Sequence, residues 1–391
     1  MLSQRNRWLL IAVPIALILI WAAQQRAAPS DEGSGELPPP LSRGLIYLSP
    51  ADESAQLFHI DLATKEISPI GEADEISSFD INADGSSLVY SAANTQGGSD
   101  LWLMDLSTRQ PALLLDCGLQ SCTNAAFSPS GTQLAYQIDF EEIWLLDLAS
   151  GEREQISPEG QLSREGQWSA DGRLSYYVVP AERYELLFPG NSEVDSYANQ
   201  TGERISWEVG GASFVAAEQI STSLELPSIA EAKATAGSAT PQSTAEAVPT
   251  VSAAAGSSLP DRLVSHLLQY SSDGVEPLFD VGENLVEDTS PAFSPDGRWL
   301  AFTRKYLDEE RWTPGRQLWL YEMESGLALA FSDSANFHIS TPVWSADSTQ
   351  IAFVRSNRIA LNEALELWVI QVNGSGASLL VVDAFAPQWI P

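Results

Sequence analysis

A short phrase recurs along the chain and restricts its fold more than any other feature. It reads Phe127-Ser128-Pro129-Ser130-Gly131, Trp168-Ser169-Ala170-Asp171-Gly172, Phe293-Ser294-Pro295-Asp296-Gly297 and Trp344-Ser345-Ala346-Asp347. A degenerate copy opens at Phe79 and contains Asp84-Gly85. Proline fixes φ, aspartate bonds its own backbone nearby, and glycine takes the positive-φ position, so the phrase is a tight turn. An apolar segment follows each copy, as in Leu134-Ala135-Tyr136 and Ile351-Ala352-Phe353, and most then carry a second signature, as in Leu101-Trp102, Ile143-Trp144, Leu318-Trp319 and Leu367-Trp368. Apolar residues alternate in these segments, which suits strands with two distinct faces. One four-stranded sheet cannot bury both faces alone, so each repeat must pack on its neighbours. A repeat of roughly 40 to 50 residues with aromatics at fixed places predicts an all-β chain, a β-propeller.

The opening aromatics are Phe79, Phe127, Trp168, Trp207, Phe293, Trp344 and Trp389, which predicts seven four-stranded blades. The copy at Trp207 lacks the Asp-Gly turn, and without it the ring has six. Between Trp207 and Phe293 lies one repeat plus an insertion of roughly 40 residues. The stretch 221–259 is rich in Ala, Ser, Thr and Pro with few apolar anchors, and reads as disordered. Gln388-Trp389 and Leu45-Ile46-Tyr47 predict one blade split between the two ends of the domain, which locks the ring.

The phrase, with Leu-Ala-Phe after it and Leu-Trp beyond, resembles the WD40-like (PD40) repeat of TolB-type propellers. The resemblance covers about residues 43–391 apart from the insertion. It implies an extracytoplasmic interaction module. The α/β domain that precedes the propeller in TolB itself has only a short spacer in its place here.

Trp8 to Ala23 is a 16-residue run without a charge, preceded by Arg5 and Arg7. A spanning helix needs about 20 apolar residues and a signal-peptide core about 7 to 15, so the run at 8–23 reads as a transmembrane anchor or a signal segment. Residues 1–7 are then cytoplasmic and 24–42 a flexible linker. The basic residues before the run, and Asp31, Glu32 and Glu36 after it, predict a propeller outside the cytoplasm, joined to the membrane through the N-terminal helix. If the segment is cleaved, the protein is secreted.

With 52 acids against 20 bases the net charge is −32, which argues against nucleic acid, because phosphates need a basic stripe. The acids keep the ring soluble or attract a basic partner. Cys117 and Cys122, with four residues between them, make a poor zinc site and read as a local disulfide. His59, His266 and His338 are not expected to converge on a metal. Glu141-Glu142 and Glu309-Glu310 fall at hairpin tips. No nucleophile elbow, phosphate loop or His-x-x-x-His pair is present, so the expectation is no catalysis, no metal and no cofactor.

The long connections join second strands to third, at 92–99, 305–316, 355–365 and the insertion, and share one face of the ring. Binding residues concentrate on such loops. Trp312 stands off the repeat pattern, either tucked against its hairpin or exposed for contact, and Trp312, Arg311 and Arg316 are the candidate binding residues. The expected function is a non-catalytic module that binds a protein or peptide in the cell envelope. The alternative is a carbohydrate-active propeller, a lectin or polysaccharide lyase.

Overall fold

The computed structural model describes residues 41–52, 54–222, 262–280, 285–332 and 335–391. The run at 8–23, the linker up to residue 40 and most of the insertion lie outside the described residues. Among those described, no helix is long and apolar enough to cross a membrane.

The strands form four-stranded antiparallel units, lettered A to D from the inside of the ring outward. Unit 1 joins Phe385–Trp389 (A) to Gly44–Ser49, Gln56–Asp61 and Ile67–Pro69. Unit 2 is Ile76–Ile81, Ser87–Ala93, Ser99–Asp105 and Gln110–Leu115; unit 3 is Cys122–Phe127, Gln133–Ile138, Glu142–Asp147 and Arg153–Gln155. Unit 4 is Ser163–Trp168, Leu174–Val178, Arg183–Leu187 and Val194–Ala198; unit 5 is Ser206–Trp207, Phe214–Thr222, Arg262–Ser271 and Gly274–Pro277. Unit 6 is Val286–Phe293, Trp299–Tyr306, Gln317–Glu322 and Leu327–Ala330, tied to unit 5 by the single parallel pair Ser265–Glu287. In unit 7 strand A is interrupted, since Phe337–Ile339 and Val343–Trp344 both pair with Gln350–Asn357; Glu366–Gln371 and Ser378–Val382 complete it. The copy opening at Trp207 does form its hairpin, with Trp207 opposite Phe214, and Glu208-Val209-Gly210-Gly211 stands in for the usual phrase.

The two-residue period of the strands builds the seams between units. In Gly44–Ser49, Ile46 and Leu48 pack with Leu88 and Tyr90 of unit 2, while Leu45 and Tyr47 pack with Ala352 and Val354 of unit 7. The same division runs round the ring. Val89 faces Leu134 and Tyr136, Ala135 faces Leu174 and Tyr176, and Tyr177 faces Phe214. Val215 then faces Leu300 and Phe302, and Ala301 faces Ile351 and Phe353. Every strand B is therefore buried on both faces, which explains its near-continuous apolar run. The described ends of the domain meet in unit 1, with Leu45 opposite Trp389 and Ile46 opposite Gln388.

The serine of the phrase, rather than the proline, is its most regular element. Its hydroxyl accepts the backbone N–H that opens strand B: Gln133 to Ser128 (3.1 Å), Trp299 to Ser294 (3.0 Å) and Gln350 to Ser345 (3.0 Å). It also donates to the aspartate, as Ser294 does to Asp296 at 2.6 Å. In the degenerate copy Asn82 Oδ1 takes this role, accepting Ser87 N at 2.9 Å. That corrects the sequence register. The copy opens at Ile81, which pairs with Leu88 as Phe127 pairs with Leu134, and Phe79 lies two residues too early.

Adjacent inner strands are latched by a rule that the residue type at this position sets. Where it is Trp, the indole N–H donates to the carbonyl preceding the same position in the previous unit: Trp168 to Ala126 (3.0 Å), Trp344 to Ala292 (2.9 Å), Trp389 to Val343 (3.0 Å). Where it is Phe, its backbone N–H is taken instead by a polar side chain there, Asp80 for Phe127 (2.8 Å) and Ser206 for Phe293 (2.9 Å). Gln388 reaches Phe79 O at 2.9 Å to join units 1 and 2. Trp207 alone among these tryptophans has an indole N–H that is buried with no partner.

Asp80 follows the latch into the narrow inner ring. Asp80 is partly exposed, yet protein surrounds the carboxyl, and burial pushes its pKa up to about 6 against the Phe127 hydrogen bond and the charge of Arg204, which lower it. A carboxyl with a raised folded pKa stabilises most when protonated, below the unfolded value near 4, and that contribution is lost as pH rises through 6. Asp80→Asn keeps the acceptor for Phe127 and removes the charge. It is expected to raise the melting temperature at pH 7, by on the order of 2 kcal/mol of stability, and to leave it unchanged at pH 4. Equal effects at both pH values overturn the assignment.

Candidate functional site at the channel mouth

Strand A begins, strand B ends and strand C begins on one face of the ring. The long connections 94–98, 307–316 and 358–365 lie there, as expected. The opposite face carries the Ser-Pro-Asp-Gly turns and both described ends: Arg43 pairs with Asp347 of one such turn (2.9 Å), and Pro391 lies beside Gly85 of another.

On the long-loop face a cavity of about 350 Å³ opens at the mouth of the channel, between units 4, 5, 6 and 7. Arg164 and Glu165 come from the start of a strand A; Glu203 and Arg204 from the connection into the next; Arg316 from the start of a strand C; His338 from the interrupted strand. A larger cavity of about 660 Å³ lies among Gln133, Leu145, Asp147 and Glu154, toward the outer strands of unit 3 and away from the channel. We place the site at the mouth because side chains of four units converge there and ionisable groups are perturbed.

A buried hub builds its wall. The Asn199 side-chain carbonyl accepts Thr201 N (3.0 Å), Thr201 Oγ1 (2.8 Å) and Gly202 N (2.7 Å), while its amide donates to Ala217 O and Tyr270 OH, both at 2.9 Å. Gly202 has φ of 58°, and a Cβ there would sit inside the Tyr177 ring, so the position admits glycine alone. Tyr184 OH then donates to Glu203 O at 2.6 Å. The chain is thus rigid up to Arg204, whose side chain is exposed. Bulges shape the rest: Glu165 (φ 60°) and Ser290 (φ 54°) interrupt their ladders with Leu174–Val178 and Trp299–Tyr306.

Arg316 NH2 bonds Glu287 at 3.0 Å, and its backbone N–H donates to His338 Nδ1 at 3.4 Å. Burial, then the charges of Arg316, Arg358 and Lys305, push His338 down to about 4, so the ring is neutral at pH 7. Burial pushes Glu203 up, opposed by Arg316 and Arg164. Among the described residues no group of three His, Cys, Asp or Glu is placed to hold a metal. His59 and His266 lie on third strands, and His59 Nε2 meets Ser42 O at 3.1 Å.

Of the candidates read from sequence, Arg316 lines this mouth. Trp312 stands away from it in the 307–316 loop, 54% exposed, with Lys305 Nζ 5.2 Å from its ring centre. Arg311 is engaged within the same loop, with Nε 2.9 Å from Asp308 and its guanidinium 4.0 Å from the Tyr306 ring centre. Cys117 and Cys122 are bonded to each other on this face. Glu142 is not merely solvated at its hairpin tip, since it accepts the Trp144 indole N–H at 2.9 Å. Sequence reasoning missed Arg164, Glu203 and Arg204, which belong to no repeated phrase, and Asn199, whose role depends on contacts with two later strands.

No family model matches the chain. Among curated proteins it is 24% identical over 110 residues to "Uncharacterized peptidase YuxL" of Bacillus subtilis (strain 168), a match that covers 27% of this chain and only 16% of that protein. Among solved structures it is similar to the β-propeller domain of the trilobed protease of Pyrococcus furiosus, at 13% identity, over 88% of this chain and 97% of that one, with a TM-score of 0.54. It is also similar to TolB of Acinetobacter baumannii, at 13% identity over 91% of this chain and 68% of that one, with a TM-score of 0.49. The fold is a β-propeller, and the chain resembles propellers of the TolB type. The expectation of a non-catalytic module, and of no enzyme, is corrected by these comparisons: the curated relative carries the name of a peptidase, and the protease propeller shares the fold.

Proposed function

We propose that this chain is a peptidase-related, seven-bladed propeller that receives peptide at the long-loop mouth of its channel, outside the cytoplasm. The observation that carries the reading is the mouth itself, where ionisable side chains from four units meet over one cavity. The likeness to the protein named peptidase YuxL supports hydrolysis of peptides as the reaction class. The mouth is framed by the ends of inner strands, which suits an extended chain. Seven packed seams and seven opening residues, with Ile81 as the first, support the blade count. The Cys117–Cys122 bond and the charge-free run behind Arg5 and Arg7 support a location in an oxidising compartment.

The test is to incubate the purified full chain with a mixture of random decapeptides. Cleavage is followed by mass spectrometry, and binding by the anisotropy of a labelled fraction. The expected result is binding or cleavage that falls at least about tenfold in the double variant Arg164→Gln, Arg316→Gln. A chain that neither binds nor cleaves any of the mixture overturns the reading.

A further inference from the structure

The charge at the mouth has the opposite sign to the charge of the molecule. The chain has 20 bases against 52 acids, yet Arg164, Arg204 and Arg316 share one cavity wall. Lys305 and Arg358 are close enough to act with Arg316 on His338. Burial first, and then these cations, oppose protonation of that histidine in a protein of net negative charge. Three arginines line the cavity against two glutamates, Glu165 and Glu203, so the wall carries more positive than negative groups. Glu287 is already paired with Arg316, and burial pushes Glu203 toward its neutral form. Arg204 is exposed, has no ion pair among the described residues, and lies on a backbone that Asn199 and Tyr184 hold in place. A guanidinium so presented matches the two oxygens of a carboxylate, which it can bond as a fork.

We propose that the mouth cavity is a binding site for the free α-carboxylate of a peptide, with Arg204 as the primary contact and Arg316 beside it. The inference rests on the peptide-receiving reading and adds which end of the peptide enters first. The −32 background weakens the approach of anions in general, so the site selects a terminal carboxylate that can reach the guanidinium rather than acidic side chains at large.

The experiment uses one random hexapeptide mixture in three forms, with free ends, with a C-terminal amide, and with an N-terminal acetyl group. Each is titrated into the full chain and into Arg204→Gln and Arg298→Gln, the latter on the opposite face. The expected result is that amidation weakens binding at least about tenfold and acetylation has little effect. Arg204→Gln should abolish the preference, and Arg298→Gln should preserve it. Equal binding of acid and amide, or loss on acetylation instead, overturns the carboxylate site while leaving the peptide-receiving reading intact. Failure of all three forms to bind overturns both.

Discussion

A chain cut after Ala386 is expected to lose the closed ring and to aggregate. The cut removes Pro387 to Pro391 and with them most of strand A of unit 1, whose partner Gly44–Ser49 lies at the other end of the domain. Four ties go at once: the Leu45–Trp389 and Ile46–Gln388 pairs, the Trp389 indole bond to Val343, and the Gln388 bond to Phe79. Trp389 is half-buried rather than fully enclosed, because its indole rests on the rim beside Val343, so the loss lies at the lower end of the usual range for a core aromatic, about 3 kcal/mol. The exposed edge of Gly44–Ser49 adds to this, since an unpaired apolar strand templates pairing with other chains. Thermal melting with light scattering measures both effects. Trp389→Ala, which keeps the strand, should melt lower without aggregating at low temperature. A truncated chain that melts like the intact one means that the ring is not closed at this seam.

How much of this was readable in advance depends on whether a residue acts within its repeat or across the ring. The turn phrase, the alternation and the split unit follow from local chemistry, and the strands stand where those signals put them. The slip from Ile81 to Phe79 has a clear cause. Aromatic identity marks the position in most copies, whereas the structure selects it by the capping group, and Asn82 caps as serine does. The bidentate ion pair between Arg304 and Asp288, at 2.6 and 2.7 Å among Phe302 and Trp319, could not be read either. A buried arginine in a strand looks in sequence like a solvated one. The mouth residues share this difficulty. Arg164, Glu203, Arg204 and Arg316 are spread over roughly 150 positions, and only ring closure brings them together.

Asn199→Leu is expected to be the most damaging single substitution near the mouth, although nothing in its sequence neighbourhood marks it. Asparagine satisfies five hydrogen bonds from a site that is 1% exposed, and leucine of similar volume satisfies none. The backbone N–H groups of Thr201 and Gly202 would be left without their acceptor and Tyr270 OH without its donor, while Ala217 O would keep the Thr201 hydroxyl. Each buried group left unpaired costs about 1–3 kcal/mol, so a loss of about 4 kcal/mol or more is expected. The aromatic packing of Tyr177, Tyr184, Phe214 and Tyr270 remains and should hold the seam between units 4 and 5 together. That seam also lacks the indole latch that Trp168, Trp344 and Trp389 give three other seams, because the Trp207 N–H is unpartnered, so Asn199 carries polar pairing that a latch supplies there. Asn199→Asp separates the roles. It keeps the acceptor for Thr201 and Gly202 but removes the donor to Ala217 and Tyr270, and places a charge where burial opposes it. It should therefore fall between leucine and the wild type at low pH and lose stability as pH rises. Melting curves at pH 4 and pH 7 give the comparison. If Asn199→Leu melts within a degree or two of the wild type, the connection that presents Arg204 is held by the tyrosines alone, and the carboxylate site does not depend on the hub.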